Sequence, residues 1–588
     1  MTPFKHTFIT IIALVAQLLP CIQAQVQPTT TYQPPPIASG NVSSSSSSNK
    51  VNARWSQLLG NALYFYDIQR SGTLPNNFRV DWRNNSVPND GSDVGLDLSG
   101  GFFDAGNYIK ATFPLCWVVT QLSWGGMMFG KGFDDSQQTA YLDSTLRVAL
   151  DWLMTASSKQ DEMVVLIGSD DFYWGGDQNI PTNDRPSYTI TREKPGTDVF
   201  GSCASALTSA SMLYAGTPLP ISTTQNGTVA SLQDANYSTT LLQRAETLFD
   251  LAQSSTPQQV YQKATKGVAW AYPSTDYADE LVLSSTFLAL ATGNQTYADY
   301  AQKTYATNQF PFPNGALNWD QHTSATPVLL TQLSIARPSM GVSMSKYQTD
   351  SEKWLDNIVN KNMPQTFTTP GGLFYFDGDS DSASLNPSLN AAFLMMVYRR
   401  MASSTTKDRG YRSFAESQID YALGKNPMNT VYAVGIHNNS AENPQSALAS
   451  GGTNPKLIDT VPAQEAHVLY SGIVGGPDQN DNYYDQRSNW EQTEVALDSQ
   501  SAMIVLAAHQ LTTNASDPFY TGMTEERVIL PYDADGGGGG GLSTGAQIAI
   551  AVVVIVVVLG LLAGLAFWQR ERLRSLIRRR RFEKYEKS

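Results

Sequence analysis

Two short stretches hold carboxylates among glycines and aromatic rings: Gly100-Gly101-Phe102-Phe103-Asp104-Ala105-Gly106-Asn107-Tyr108 and Asp485-Gln486-Arg487-Ser488-Asn489-Trp490-Glu491-Gln492-Thr493-Glu494. Paired carboxyls do acid–base work across a bond: one protonates a leaving oxygen, the other activates water or attacks directly. Aromatic faces beside them suit pyranose rings, and Trp174, Tyr188, Trp270, Trp319 and Trp490 are the rings considered for stacking, each equally readable as core or cleft wall. Asp104 also reads as an N-cap for a helix starting near Tyr108. The sequence holds no Cys/His cluster with zinc spacing, no Walker loop and no dinucleotide fingerprint.

Helical segments must carry these stretches. Leu142, Leu146, Ala149 and Leu153 step along one helix face, as do Leu394, Val397, Tyr398 and Met401, and Ala415, Ile419 and Ala422. Strand-like alternation is scarce. Long polar loops rich in Gly, Pro, Asn and Asp separate the helices, so a mostly α toroid or bundle with its site built from loops is expected.

With 41% hydrophobic and 15% charged residues, the chain suits a large buried core. The net charge is −13 although the C-terminal tail is basic, and an acidic body excludes nucleic acid as partner. Residues 1–24 read as a signal peptide, with an apolar run from Phe8 to Leu19 and Ala24 at the cleavage point. Residues 25–50 read as a flexible Pro/Thr/Ser-rich linker, 51–532 as one globular unit and 533–545 as a Gly-rich tether. Residues 546–568 read as a transmembrane helix, its charge-free stretch Ile548 to Trp568 spanning roughly 31 Å at about 1.5 Å per residue. The arginine-rich tail 569–588 then stays in the cytoplasm. The expected topology is single-pass type I in the plasma membrane, with the body extracellular; the sequons at Asn84, Asn226 and Asn294 agree with an exterior location. Cys116 and Cys203 could form a disulfide, which the sequence alone leaves open.

DLSGGFFDAGNYIK (Asp97 to Lys110) and DNYYDQRSNWEQTEVALD (Asp481 to Asp498) resemble the two catalytic segments of glycoside hydrolase family 9, the endo-β-1,4-glucanases, in the fungal membrane-anchored form. RSGTLP at Arg70, PGTDV at Pro195, DEL at Asp279, ATGNQTY at Ala291 and SQIDYALGKNP at Ser417 agree in order. The resemblance implies an (α/α)6 toroid that hydrolyses internal β-1,4 bonds of cellulose or a related β-glucan with inversion. It places Glu494 on the general acid and Asp104 on the first Asp of Asp-Ala-Gly-Asp. The second, usually the base, is Asn107 here, and an amide cannot take a proton from water. Asp485 is expected to orient the site or to pair with Arg487, itself considered for sugar binding. A Pro-His-His-Arg segment of the family is replaced by Pro444-Gln445-Ser446-Ala447, with His437 nearby as a substrate or structural residue. A structural calcium, common in the family, would draw on Asp279, Glu280 and Asp320, which also read as ordinary helix-start acids. The alternative to an enzyme is a glycan-binding or wall-remodelling protein that lost turnover with its base.

Overall fold

The computed structural model describes residues 25–26, 51–168, 173–181, 185–268, 272–308, 315–513 and 516–531. The expected signal peptide, nearly all of the linker, the tether, the membrane helix, the basic tail and Trp270 lie outside them. Among the described residues no helix is long and apolar enough to cross a membrane.

Twelve helices of twelve residues or more follow one another among the described residues. They are α1 (Ala53–Gln69), α2 (Thr112–Met128), α3 (Thr139–Ala156), α4 (Thr197–Tyr214), α5 (Ala235–Ser254) and α6 (Ala278–Thr292). Then come α7 (Gln295–Thr307), α8 (Ala325–Ala336), α9 (Met344–Val359), α10 (Leu385–Tyr398), α11 (Thr405–Ala422) and α12 (Leu497–Thr513). Several start on side-chain caps that satisfy orphan backbone N–H groups: Asn52 accepts from Arg54 and Trp55, Asp234 from Tyr237, and Asn294 from Thr296.

Their composition alternates. The even-numbered helices are buried almost all round; every residue of α2, α4 and α10 is buried. Of the odd-numbered helices, α1 and α3 are largely buried, whereas others bury a stripe, such as Tyr411, Ala415, Ile419 and Ala422 of α11, and give a polar face to water. The even helices therefore form an inner ring. α2 packs on α4, α4 on α6, α6 on α8, α8 on α10, α10 on α12, and α12 back on α2, while each odd helix backs a neighbour in that ring. This closed arrangement is the expected (α/α)6 toroid. Strands are minor: β1 (Lys110–Ala111), β2 (Glu162–Ile167) and β3 (Ser187–Thr191) form one antiparallel sheet, and β4 (Thr366–Thr368) pairs with β5 (Phe374–Phe376).

The connectivity puts the site at one end of the ring. Four of the five links from an inner to the next outer helix are short, such as Gly293–Asn294 between α6 and α7. The links from outer to inner helices are long, run over 70–111, 157–196, 255–277, 308–324, 360–384 and 423–496, and all end at inner-helix N-termini. Both motif stretches lie in these loops. Cys116 on α2 and Cys203 on α4 are buried free thiols, so the disulfide considered above is not formed.

Candidate active site

The loop carrying Asp104 is held from four sides. Gln69, at the end of α1, donates from Nε2 to the Ala105 carbonyl (2.7 Å), and its own carbonyl accepts from Phe103 N (2.8 Å). The Lys110 ammonium donates to the carbonyls of Leu98, Ser99 and Gly100 (2.7, 2.8 and 2.9 Å) and pairs with Asp90 (2.9 Å). Arg185 grips Asp90 with two bonds and the Tyr108 carbonyl with a third. The Asp104 carbonyl accepts from Leu497 N (3.0 Å), which fastens the loop to the start of α12. No helix begins at Tyr108; β1 follows, and α2 is capped by Ala111, so the N-cap reading of Asp104 is corrected.

Gly106 is the meeting point of the two motifs. A Cβ on it would lie 2.2 Å from the Gln445 carbonyl oxygen, so only glycine fits. Its carbonyl accepts from Ala447 N (2.7 Å), and its N–H donates to Glu494 Oε1 (3.4 Å). Glu494 follows the short helix Trp490–Thr493 and forms a bridge with Gln445, whose N–H donates to the Thr493 carbonyl (2.9 Å). Asp104, Glu494 and the Gln445 segment are thus brought together from sites nearly 400 residues apart in sequence.

Asp104 is 4% exposed. Its Oδ2 accepts from the Tyr272 hydroxyl (2.9 Å), and its Oδ1 has no partner among the described residues. Burial, reinforced by the nearby Asp498 carboxylate and opposed by the Tyr272 bond, pushes its pKa up to about 8. Asp498, in the first turn of α12, is itself buried and raised by that burial, and its Oδ2 accepts from Asn386 Nδ2 (2.7 Å). Trp319 packs edge-on to Tyr272 with ring centroids 5.9 Å apart. Sequence reasoning singles out neither Tyr272 nor Asp498. Asp498 closes the quoted C-terminal motif four residues after Glu494, the one signal that could have flagged it.

The other expected residues divide. Asn107 is half-buried, and its Oδ1 accepts from Ile109 N (3.1 Å) in an Asx turn. Asp485, expected to orient the site, has both oxygens engaged by Glu442 N (2.9 Å), Asn443 N (3.0 Å) and the Arg527 guanidinium (2.5 Å). It braces the segment leading into Gln445 and has no oxygen spare for proton transfer. Its anticipated pairing with Arg487 does not form. Arg487 is 1% exposed, pairs with Glu465, and donates to the Ile458 and Pro462 carbonyls, so its assignment to sugar binding is corrected to that of a loop clamp. His437 is buried, with Nδ1 accepting from Asn439 N (3.0 Å), which is the structural reading; it lines a cavity of about 560 Å³ with Pro444, Glu465 and His467.

Among the rings, Trp174 packs in a buried cluster with Phe103, Tyr108 and Leu448 and is a wall, not an open platform. Tyr188 is half-buried on β3 against Gly267. Trp490, one turn before Glu494, is 46% exposed and presents the open face that stacking needs.

Asp279 and Glu280 open α6, both sealed from solvent, and Asp279 Oδ1 and Glu280 Oε2 have no hydrogen-bond partner among the described residues. Uncompensated buried carboxylates of this kind call for a cation or a proton. The third side chain whose ligand atom lies within 4.8 Å of theirs is His322; Asp320 does not complete this group. Calcium takes about six to eight oxygen ligands, and a set containing an imidazole departs from the all-oxygen cage expected.

A closed (α/α)6 ring whose loops gather two carboxylates beside aromatic rings defines the class as a carbohydrate-active toroid. The pattern of glycosyl hydrolase family 9 matches residues 55–507, and the chain belongs to that family. It is 31% identical over 487 residues to Endoglucanase B of Cellulomonas fimi, covering 80% of this chain and 43% of that one. Endoglucanase A of Bacillus pumilus is 31% identical, covering 76% of this chain and 64% of that one. The chain thus spans less than two thirds of these two relatives. Endoglucanase 14 of Arabidopsis thaliana is 29% identical, covering 78% of this chain and 94% of that one. Among solved structures, the endoglucanase of the termite Nasutitermes takasagoensis superposes with a TM-score of 0.68 at 31% identity, covering 78% of this chain and 99% of that one. Endoglucanase CelQ of Clostridium thermocellum, solved with cellotetraose, gives a TM-score of 0.66 at 28% identity, covering 81% of this chain and 73% of that one.

Proposed function

We propose that this protein hydrolyses internal β-1,4-glucosidic bonds of cellulose or a related β-glucan with inversion, Glu494 acting as general acid and Asp104 as general base. The observation that carries the reading is the Gly106 junction, where the loop bearing Asp104 donates a hydrogen bond to the Glu494 carboxylate. Glu494 protonates the leaving oxygen. Asp104, with an unpartnered oxygen and a phenol fixing the other, takes the proton of the attacking water. In an inverting enzyme the two carboxyls stand about 6.5–9.5 Å apart to admit that water. Trp490 offers a stacking face for the polymer, and the endoglucanase relatives and the cellotetraose complex of CelQ support a β-glucan substrate. The test is an assay of the full chain on carboxymethyl-cellulose and mixed-linkage glucan with detection of the anomer released. New reducing ends of inverted configuration are expected; retained configuration would overturn the roles given.

A second reading, a glycan-binding protein with impaired turnover, is favoured by the amide of Asn107 at the usual base position and by Gln445 in the sugar-gripping segment. Binding of cello-oligosaccharides without release of reducing ends would select it.

The body is further proposed to be secreted and held at the plasma membrane by residues 546–568, with the basic tail inside. Fractionation of cells making the full chain tests this: release of intact protein into the medium would contradict the anchor.

A further inference from the structure

The acidic pair at the start of α6 shares its pocket with an imidazole. Asp279, Glu280 and His322 are 1%, 0% and 0% exposed, and their ligand atoms lie within 4.8 Å of one another. Asp279 Oδ2 is already used, accepting from His322 N (2.6 Å) and from the Thr323 hydroxyl (3.3 Å). Its Oδ1, Glu280 Oε2 and His322 Nε2 are all buried without a hydrogen-bond partner among the described residues. Among the described residues, neither carboxylate pairs with a lysine or arginine. Glu280 Oε1 stands 3.1 Å from His322 Nδ1. That separation is a hydrogen bond, so the atoms left to face an ion are Asp279 Oδ1, Glu280 Oε2 and His322 Nε2.

We propose that Asp279, Glu280 and His322 bind one divalent transition metal of the zinc or cobalt class in preference to calcium. Two carboxylates alone would serve a hard cation. An imidazole contributes little to calcium and much to borderline metals, so His322 sets the selectivity. The ion neutralises the buried acids and ties the first turn of α6 to the loop entering α8. That loop carries Trp319, which packs on Tyr272, the hydrogen-bond partner of Asp104. The site is structural and independent of whether the cleft turns over substrate.

The test uses the full chain, stripped with chelator and titrated with cobalt(II) in excess calcium. One cobalt per chain with visible d–d absorption is expected, displaced by zinc and not by calcium, and zinc should raise the melting temperature of the stripped protein. His322→Gln should weaken zinc binding by more than about 100-fold, the most that loss of an outer-shell partner usually costs, and His322→Cys should restore it with a thiolate. Calcium alone binding and stabilising the wild type, His322→Gln binding zinc as tightly as wild type, or no metal bound at all would each overturn the proposal. Competition between zinc and calcium on the wild type decides the matter even where a variant does not fold.

Discussion

The Tyr272 hydroxyl donates a 2.9 Å hydrogen bond to Asp104 Oδ2, the one side-chain bond on this buried carboxylate among the described residues. A hydrogen bond donated to the charged form favours that form, so the phenol works against the burial that lifts Asp104 to about 8.

Tyr272→Phe removes that opposition. The ionised base becomes harder to form, and the acidic limb of the kcat/KM profile moves to higher pH. At a fixed pH on that limb, activity should fall about tenfold for every pH unit the limb travels. A pH series on one soluble glucan checks this; an unmoved limb would show that Tyr272 does not act through Asp104.

Glu494→Gln keeps the shape that accepts the Gly106 N–H but has no transferable proton. Turnover on an unactivated glucan should drop about 10²–10⁴-fold with folding and binding retained. Substrates with good leaving groups should lose less, because their departure needs less protonation. A variant keeping most of its kcat would remove Glu494 from the role of acid.

Asn107→Asp restores a carboxylate at the family's usual base position. The existing Asx turn to Ile109 N needs only a side-chain oxygen, which an aspartate also has, so the loop should keep its form. The second charge beside Asp104 raises the pKa of one of the pair and moves the acidic limb upward. Above that limb the rate should rise by about tenfold or more, within the usual range for a general base. Steady-state rates across the pH range, at equal or lower level throughout, would mean the site is built around the amide.

The helical ring was legible because burial leaves a period: stripes such as Ala415, Ile419 and Ala422 mark an outer helix. The motif resemblance names Asp104 and Glu494, and in the fold Gly106 N of the Asp104 loop donates to the Glu494 carboxylate. Partners chosen by three-dimensional packing were not. Tyr272 stands in a loop with no periodicity, and Asp485 and Arg487, two apart in sequence, point to different partners, Arg527 and Glu465. At the proposed metal site, Asp279 and Glu280 are adjacent at one helix start, whereas the approach of His322 rather than Asp320 depends on loop geometry that spacing does not encode.

Gly106→Ala tests the junction itself. Its Cβ would meet the Gln445 carbonyl oxygen at 2.2 Å, a backbone atom that cannot rotate away. The loop must then shift, separating Asp104 from Glu494. A loss of about 10²-fold in kcat is expected from such a misplacement, with a stability cost of about 1–3 kcal/mol from overpacking. Gln445→Gly should not relieve it, since the clash is with backbone. Near-normal activity in Gly106→Ala would mean that this contact does not set the catalytic geometry.

Asp104→Asn should trade activity for stability in a way that depends on pH. The folded protein holds the Asp104 proton up to about 8, whereas the unfolded chain releases it near the ordinary 3.8. Between these values the native state binds more protons than the unfolded state, so stability falls as pH rises through that window. Asparagine carries no charge at any pH, and its amide group can take the place of the unpartnered Oδ1 while its oxygen still accepts from Tyr272. Below the window both forms are neutral and the variant should match the wild type. Toward its upper end the variant should be more stable by on the order of 2 kcal/mol. Denaturant unfolding of both proteins at the acid and alkaline ends gives the difference directly. A gain that is constant with pH, or that appears only in acid, would mean that Asp104 is not held protonated by the fold, and the assignment of a buried, burial-raised base would fall with it.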